Sequence, residues 1–445
     1  YEIFFNNMLR NGGVKMLGLN TRLAKLEEEG KQIKVGLVGA GQMGKGMVSQ
    51  TMLMKGMIPS LVVDINLDNA VEAYTLAGIR KEDVIIANTL EQVNRSIEEG
   101  KYVVAQDFEF AARANLIDAV VDATGVPDIG AKLAMDSIFN KKHIVMLNVE
   151  ADVVIGPILN KFAQNAGVVY TGTAGDEPGV VKELYDFADA AGFDVIAIGK
   201  GKNNPVNLES NPDSVYEQAL KSGVSPKMLT SFKDGTKTMV ELTCMANATG
   251  FIPDIRGAHA PSATVNELTG IFRLKSEGGI LNQYRIVDYV NGIAPGVFII
   301  ITSKLPQVHR EMQYLSMGPG PNYVLYRPYH LTSLETPLTV AKAVLDHQPT
   351  IIPMGKPIAE TITIAKKDLK AGEKFDGLGG YTAYGSVDTY ENARKDNLVP
   401  FGLINKNAVA KRDIKKGEAI SYDMVKLDTT TLIYKLRQIQ EDLIG

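Results

Sequence analysis

The chain has 445 residues, 45% of them hydrophobic and 22% charged, with a formal net charge of −4. That length accommodates two to four globular domains, and the near-neutral charge leaves no broad basic field for a nucleic-acid backbone or an anionic membrane. The single cysteine, Cys244, excludes an intrachain disulfide and any cysteine-cluster metal centre, and no apolar run approaches the roughly 20 residues that span a bilayer.

The opening residues carry no signal-peptide pattern and Met16 reads as a natural start, so a cytoplasmic location is expected. Within an N-terminal stretch 1–32, Leu19, Leu23 and Leu26 recur at spacings of four and three between charges, which predicts an amphipathic helix over 17–29. Residues 33–38 form an apolar run of strand length, followed at once by Gly39, Ala40, Gly41, Gln42, Met43 and Gly44 and then by a helical pattern. Strand, glycine turn and helix in that order predict a dinucleotide cradle. The first glycine permits the turn, the second admits a pyrophosphate, the third lets the helix pack on the sheet, and the helix N-terminus faces the phosphates. A second strand, 61–63, ends at Asp64. A carboxylate there accepts the ribose hydroxyls and repels a 2′-phosphate, and no Lys or Arg occurs over 65–69, so NAD is favoured over NADP as the form of NAD(P)H used.

Strand 118–124, helix 129–139 and strand 143–147 continue the alternation and predict a doubly wound parallel Rossmann sheet over 33–160, an α/β fold to which 337–348 returns. Ligands bind beyond the carboxyl ends of such strands, where Ala123, Thr124, Gly125 and Asn148 stand. A further unit, strand 168–170, helix 179–191 and strand 195–198, opens an α+β catalytic and oligomerisation domain over 161–336, with strand-like segments at 237–243 and 296–302. In the last part, 357–445, residues 365–373 recur at 410–418, an offset of 45, which predicts a small β-rich domain with a terminal helix.

Several side chains in this frame suit redox and proton chemistry. Lys200, Lys202, Asn203 and Asn204 fall in a glycine-hinged loop after a strand, where they would clamp a phosphate or a developing enolate oxygen. Glu150, Asp152, Asp176 and Glu177 follow strand ends. The four suit Mg²⁺ or Mn²⁺; two of them equally suit general acid and base work, and Asp176 and Glu177 suit the favourable start of the next helix. Arg327 suits a phosphate or carboxylate, and His330, in the same polar and aromatic loop, suits proton transfer. His259 is a further acid–base candidate. His143 falls within a strand as a structural residue, His309 and His347 in surface helical contexts, and Cys244 in core. No Gly-x-Ser-x-Gly elbow is present, which sets hydrolase chemistry aside.

Taken together, the glycine turn 39–44, residues 122–125, 143–152 and 174–178, the Gly-Lys-Gly-Lys-Asn-Asn-Pro run 199–205 and the segment 326–335 resemble the 1-deoxy-D-xylulose 5-phosphate reductoisomerase-like oxidoreductases. The first three are also similar to the cofactor half of homoserine dehydrogenases, and the repeat resembles the SAF domain of sialic acid synthases. The resemblance implies an NAD(P)-dependent homo-oligomeric enzyme acting on a small phosphorylated or polyhydroxylated carbonyl compound, with neither nucleic acid nor membrane as partner. Its leading case is conversion of 1-deoxy-D-xylulose 5-phosphate to 2-C-methyl-D-erythritol 4-phosphate. The reductoisomerase branch uses NADPH and carries Ser and Arg where Asp64 stands here. That departure points towards the alternative, an NAD-dependent dehydrogenase of a sugar acid or polyol. A dinucleotide-sensing protein without turnover is the rival from another class.

Overall fold

The computed structural model describes residues 18–445; the opening stretch and Met16 lie outside them. β1 (Ile33–Val38), β2 (Met57–Val63), β3 (Val84–Ile86), β4 (Tyr102–Ala105), β5 (Ala119–Asp122), β6 (His143–Met146) and β7 (Tyr170–Gly172) form one parallel sheet in the order β3-β4-β2-β1-β5-β6-β7. The strands are short apolar runs because helices cover both faces. Leu19–Glu28, Gln42–Met52, Leu67–Leu76 and Thr336–Asp346 pack one face, the last through Val340 and Ala341. Pro127–Phe139 and Val149–Ala166 pack the other, and the terminal helix Leu432–Leu443 packs on those two helices. Strand order reverses between β1 and β5, and the crevice beyond their carboxyl ends is where a doubly wound sheet binds its ligand.

A second, mixed sheet contains β8 (Asp194–Lys202), β9 (Ile252–Pro253), β10 (Ile286–Asn291), β11 (Val297–Thr302) and β12 (Tyr323–Arg327), ordered β12-β11-β8-β10-β9. Helices Glu177–Ala190 and Thr236–Thr249 cover one face. Two expectations are corrected here. Residues 237–243 lie within the Thr236–Thr249 helix; its Thr and Val content suggested a strand, but the helix is buried all round, and Thr243 and Thr249 satisfy their hydroxyls on the carbonyls of Met239 and Met245. The run 199–202 is not a loop but the end of β8. A methyl on Gly199 would press on the Phe298 ring, and one on Gly201 on the backbone of Ile293 and Ala294. The alternation therefore empties one face for close packing and places Lys200 and Lys202 together on the other.

The last part carries β13 (Ala359–Ala365), β14 (Ala383–Thr389), β15 (Val409–Ala410) and β16 (Val425–Lys426). The two copies of the repeat pair with each other about a local two-fold axis. Leu369 and Ile414 exchange both backbone hydrogen bonds at 2.9 Å; Asp413 accepts from Ala371 N–H at 3.0 Å, and Asp368 from Lys416 N–H at 2.8 Å. Phe375, Ile414 and Val425 belong to the same continuous core as Ile158 and Leu133, so this part is fused to the first sheet.

Candidate active site

Of the three cradle glycines, two are explained by the protein itself. Gly39 has φ +100°, and a methyl on it would lie 2.7 Å from the Ala123 carbonyl; a methyl on Gly44 would collide with the Gly39 carbonyl. Gly41 has an ordinary φ of −71° and open space where a side chain would stand, which fits a pyrophosphate resting on the first turn of Gln42–Met52. Ala40, Gln42 and Met43 complete the turn. Asp64 accepts Ala40 N–H at 2.7 Å with one oxygen and Asn66 N–H at 2.8 Å with the other, and Ile65 beside it is 89% exposed. The nearby Lys45 is paired with Glu72 at 2.6 Å. At the end of β5, buried Asp122 accepts Thr124 N–H at 2.9 Å and Thr124 Oγ1 at 2.6 Å; burial raises its pKa to about 6. Asn148 donates to Asp122 at 2.9 Å and to the Val126 carbonyl at 3.0 Å, and caps Val149–Ala166. It is buried and fixes the Ala123–Gly125 turn from below.

Beyond this turn lies a connected set of buried charges. Lys200 donates to Glu177 at 2.6 Å and to Glu241, and His330 Nε2 stands 3.5 Å from the same Glu177 oxygen. Asp176, Glu177 and Glu241 each offer a carboxylate oxygen within 4.8 Å of the others. Lys237 donates to Glu150 at 2.8 Å, and the second Glu150 oxygen is buried without a partner. Burial opposes the charge of Lys200, but Glu177 and Glu241 outweigh it and hold its pKa above the usual range. Lys237 is raised in the same way, burial being outweighed by Glu150, Asp176 and Glu241. Burial also works against ionised Glu177, yet Lys200 and His330 lower it to about 2. Burial, with Glu177 and Glu241 beside it, pushes the Asp176 carboxyl well above the usual carboxylate range. Asp176 precedes the Glu177–Ala190 helix but makes no capping bond. Each buried ammonium is thus set against one or two carboxylates, the compensation that buried charges need.

The structure thereby brings together Lys200, Glu177, Asp176, His330 and Glu150. The sequence reading misses Lys237 and Glu241, which stand four apart on one helical face and become invisible once that segment is taken for a strand. Lys237 is the single residue of Thr236–Thr249 that is not buried, which marks where the helix meets the cleft. The other candidates are placed differently. Lys202 donates to the Phe232 carbonyl at 2.9 Å, and Asn203 and Asn204 are exposed beyond the strand end. Asp152 is half-buried, accepting from Tyr170 OH at 2.6 Å and from the Cys244 thiol at 3.5 Å. Arg327 is engaged by Glu335 at 2.8 Å and Glu183 at 3.1 Å and stacks over Tyr329. His259 pairs with Asp254 at 2.7 Å. His309 is half-buried, its ring nitrogens bonded to Tyr323 OH and the Ser303 carbonyl, whereas His347 is exposed.

No curated protein matches the sequence at a significant level. Among solved structures, a probable dehydrogenase from Thermotoga maritima is 15% identical, with 71% of this chain and 90% of that one covered at a TM-score of 0.38. Scyllo-inositol dehydrogenase from Lactobacillus casei with bound NAD(H) and scyllo-inositol is 13% identical, covering 73% and 92% at 0.41. A myo-inositol dehydrogenase from Corynebacterium glutamicum ATCC 13032 is 10% identical, covering 71% and 90% at 0.38. Likeness at this level says nothing about substrate or reaction. No helix among the described residues is long and apolar enough to cross a membrane. The chain carries an oxidoreductase catalytic domain: residues 175–336, which hold Asp176, Glu177, Lys200, Lys237, Glu241 and His330, match the family described as "Oxidoreductase DRL, catalytic domain".

Proposed function

We propose that the protein is an NAD-preferring dehydrogenase of a small polyhydroxylated compound, a sugar acid or polyol. The observation that carries this reading is the position of the Lys237–Glu150 pair. Glu150 stands in the first turn after β6, beside the turn that Asn148 and Asp122 fix, and Lys237 reaches it from the catalytic segment. Hydride transfer to a carbonyl carbon requires a proton at its oxygen, and loss of hydride from an alcohol carbon requires removal of the hydroxyl proton. The Lys237 ammonium is placed to donate the first and, once deprotonated, to accept the second; Glu150 holds it in position. Bound at the glycine turn, a nicotinamide dinucleotide would supply or take the hydride. The Asp64 carboxylate at the end of β2, with Lys45 already paired to Glu72, supports NAD over NADP.

The nature of the substrate is argued from the cations. Arg327, which stands at the end of β12 and not in a loop, has both terminal nitrogens on carboxylates, so no fork is open for a phosphate. The alternating acids and bases around Lys200 instead suit a row of hydroxyl groups. Reductoisomerisation of 1-deoxy-D-xylulose 5-phosphate is the second reading, favoured by Asp176, Glu177 and Glu241, whose oxygens fit Mg²⁺ or Mn²⁺. Such an ion would have to displace the Lys200 ammonium from Glu177 and Glu241. The test is a parallel assay of purified protein with NAD⁺ and four- to six-carbon sugar acids and polyols, and with deoxyxylulose phosphate, Mg²⁺ and either reduced cofactor. NADH formation from a polyhydroxylated compound is expected; methylerythritol phosphate formation would overturn this reading in favour of the second.

A further inference from the structure

The segment 207–233, between β8 and the Thr236–Thr249 helix, is absorbed by neither sheet. Its ends meet, Asn207 N–H donating to the Lys233 carbonyl at 2.8 Å, and it has a small core of its own in Val215, Ala219 and Leu229. On one side it reaches the nicotinamide end of the cleft, where Met228 Cε lies 3.4 Å from the place a side chain on Gly125 would occupy. On the other it holds Lys202 through the Phe232 carbonyl at 2.9 Å. The segment thus bridges the Gly125 turn and the end of β8, the position of a cover over a ligand bound at that turn.

What fixes this cover comes from the terminal repeat. Lys366, in the first copy, is 4% exposed at its side chain and donates to the Asp234 carboxylate at 2.7 Å and to the Ser210 and Gly380 carbonyls at 2.8 Å each. The other Asp234 oxygen accepts Thr236 N–H at 3.0 Å, at the start of the helix that carries Lys237 and Glu241. Lys416 pairs with Glu209, and Lys227 donates to the Asp376 carbonyl at 3.0 Å. The position equivalent to Lys366 in the second copy, 366 + 45, is Lys411, whose ammonium donates to the Tyr422 carbonyl on the exposed surface. The repeat folds with an exposed lysine at that position, so its own fold does not demand the buried ammonium of the first copy.

We propose that Lys366 is a positioning residue: through it the terminal module sets the 207–233 cover and the start of the helix from which Lys237 projects. The consequence for turnover rests on the oxidoreductase reading; the position of the cover does not. Two measurements on the full chain test this. In hydrogen exchange of the free protein, Lys366→Met should speed the amides of 207–233 about 10-fold or more while β1 to β7 stay unchanged, and Lys411→Met should speed neither. Exchange unchanged at 207–233, or faster across the whole molecule, would overturn the proposal. Asp234→Asn, which keeps the shape of the side chain, serves if the methionine variant does not fold.

The chain has no tryptophan, so Phe232→Trp places a single tryptophan on the cover, excited selectively at the red edge beyond tyrosine absorption. Energy transfer from it to bound NADH should fall by about half or more when Lys366→Met is added, with NADH affinity held within about twofold. Equal transfer would again overturn the proposal. If NADH binds none of these proteins, the oxidoreductase reading fails by itself and the exchange experiment still decides the role of Lys366.

Discussion

Gly41 and Gly44 share one turn yet answer to different neighbours. Gly44→Ala would drive a methyl into the Gly39 carbonyl and should cost about 1–3 kcal/mol in a urea melt. Gly41→Ala meets open space at an ordinary φ; stability should stay within about 0.5 kcal/mol while NADH affinity, read from its fluorescence, falls about 10-fold or more. The same contrast shows what a sequence discloses. The spacing of the glycines is legible, whereas which of them serves the fold and which the ligand depends on contacts from β5. Lys237 is the opposite case, a lone lysine among Thr, Met and Val with nothing local to mark it. Lys237→Met should lower kcat by about 10² to 10⁴ with NADH affinity kept, in protein first shown to be folded, because losing one member of a buried pair also costs about 3–5 kcal/mol. A kcat within twofold of the parent would remove Lys237 from the chemistry.

At the scale of elements, the parallel units are readable because each is a short apolar run closed by a turn, and burial on both faces gives that pattern directly. Thr236–Thr249 is not, since a helix buried on every side loses its 3.6-residue period and Thr and Val then speak for a strand. The Lys200 and Lys202 run reads as a loop because glycine ordinarily weakens strands; here Phe298 and the Ile293 backbone need the vacated space.

His143 is legible as structural, and its contacts show what it does: Nδ1 accepts Val169 N–H at 3.0 Å and so ties β6 to the approach of β7. Burial, reinforced by His347, lowers its pKa to about 4. The folded state therefore binds fewer protons than the unfolded chain between pH 6.5 and 4, and the contribution of neutral His143, present above that window, is lost as pH falls through it. With partial solvent screening, the stability drop between pH 7 and pH 4 should be about 2 kcal/mol smaller in His143→Asn than in the parent. Equal drops would show that the imidazole does not carry that dependence.

Across the whole molecule, the terminal part is bound to the rest at more than the 207–233 segment. Its core runs into that of the first sheet, and Arg437 of the last helix is buried on Glu360 at 2.6 Å and the Val154 carbonyl at 3.2 Å. Truncation after residue 356 should therefore abolish cooperative unfolding rather than release an independent binding module, a difference that a thermal melt of the shortened chain would show. The repeat announces this part in the sequence; its attachment is silent there, because the residues that make it lie far apart along the chain. The proposed function depends on the crevice between β1 and β5 holding a nicotinamide dinucleotide against Lys237 and Glu150. Titration of the full chain with NADH and NADPH, followed by nicotinamide fluorescence, tests this most directly. Saturable binding of NADH, about 10-fold or more tighter than that of NADPH, is the result expected from Asp64 and the open face of Gly41. Binding of neither cofactor at millimolar concentration would contradict it.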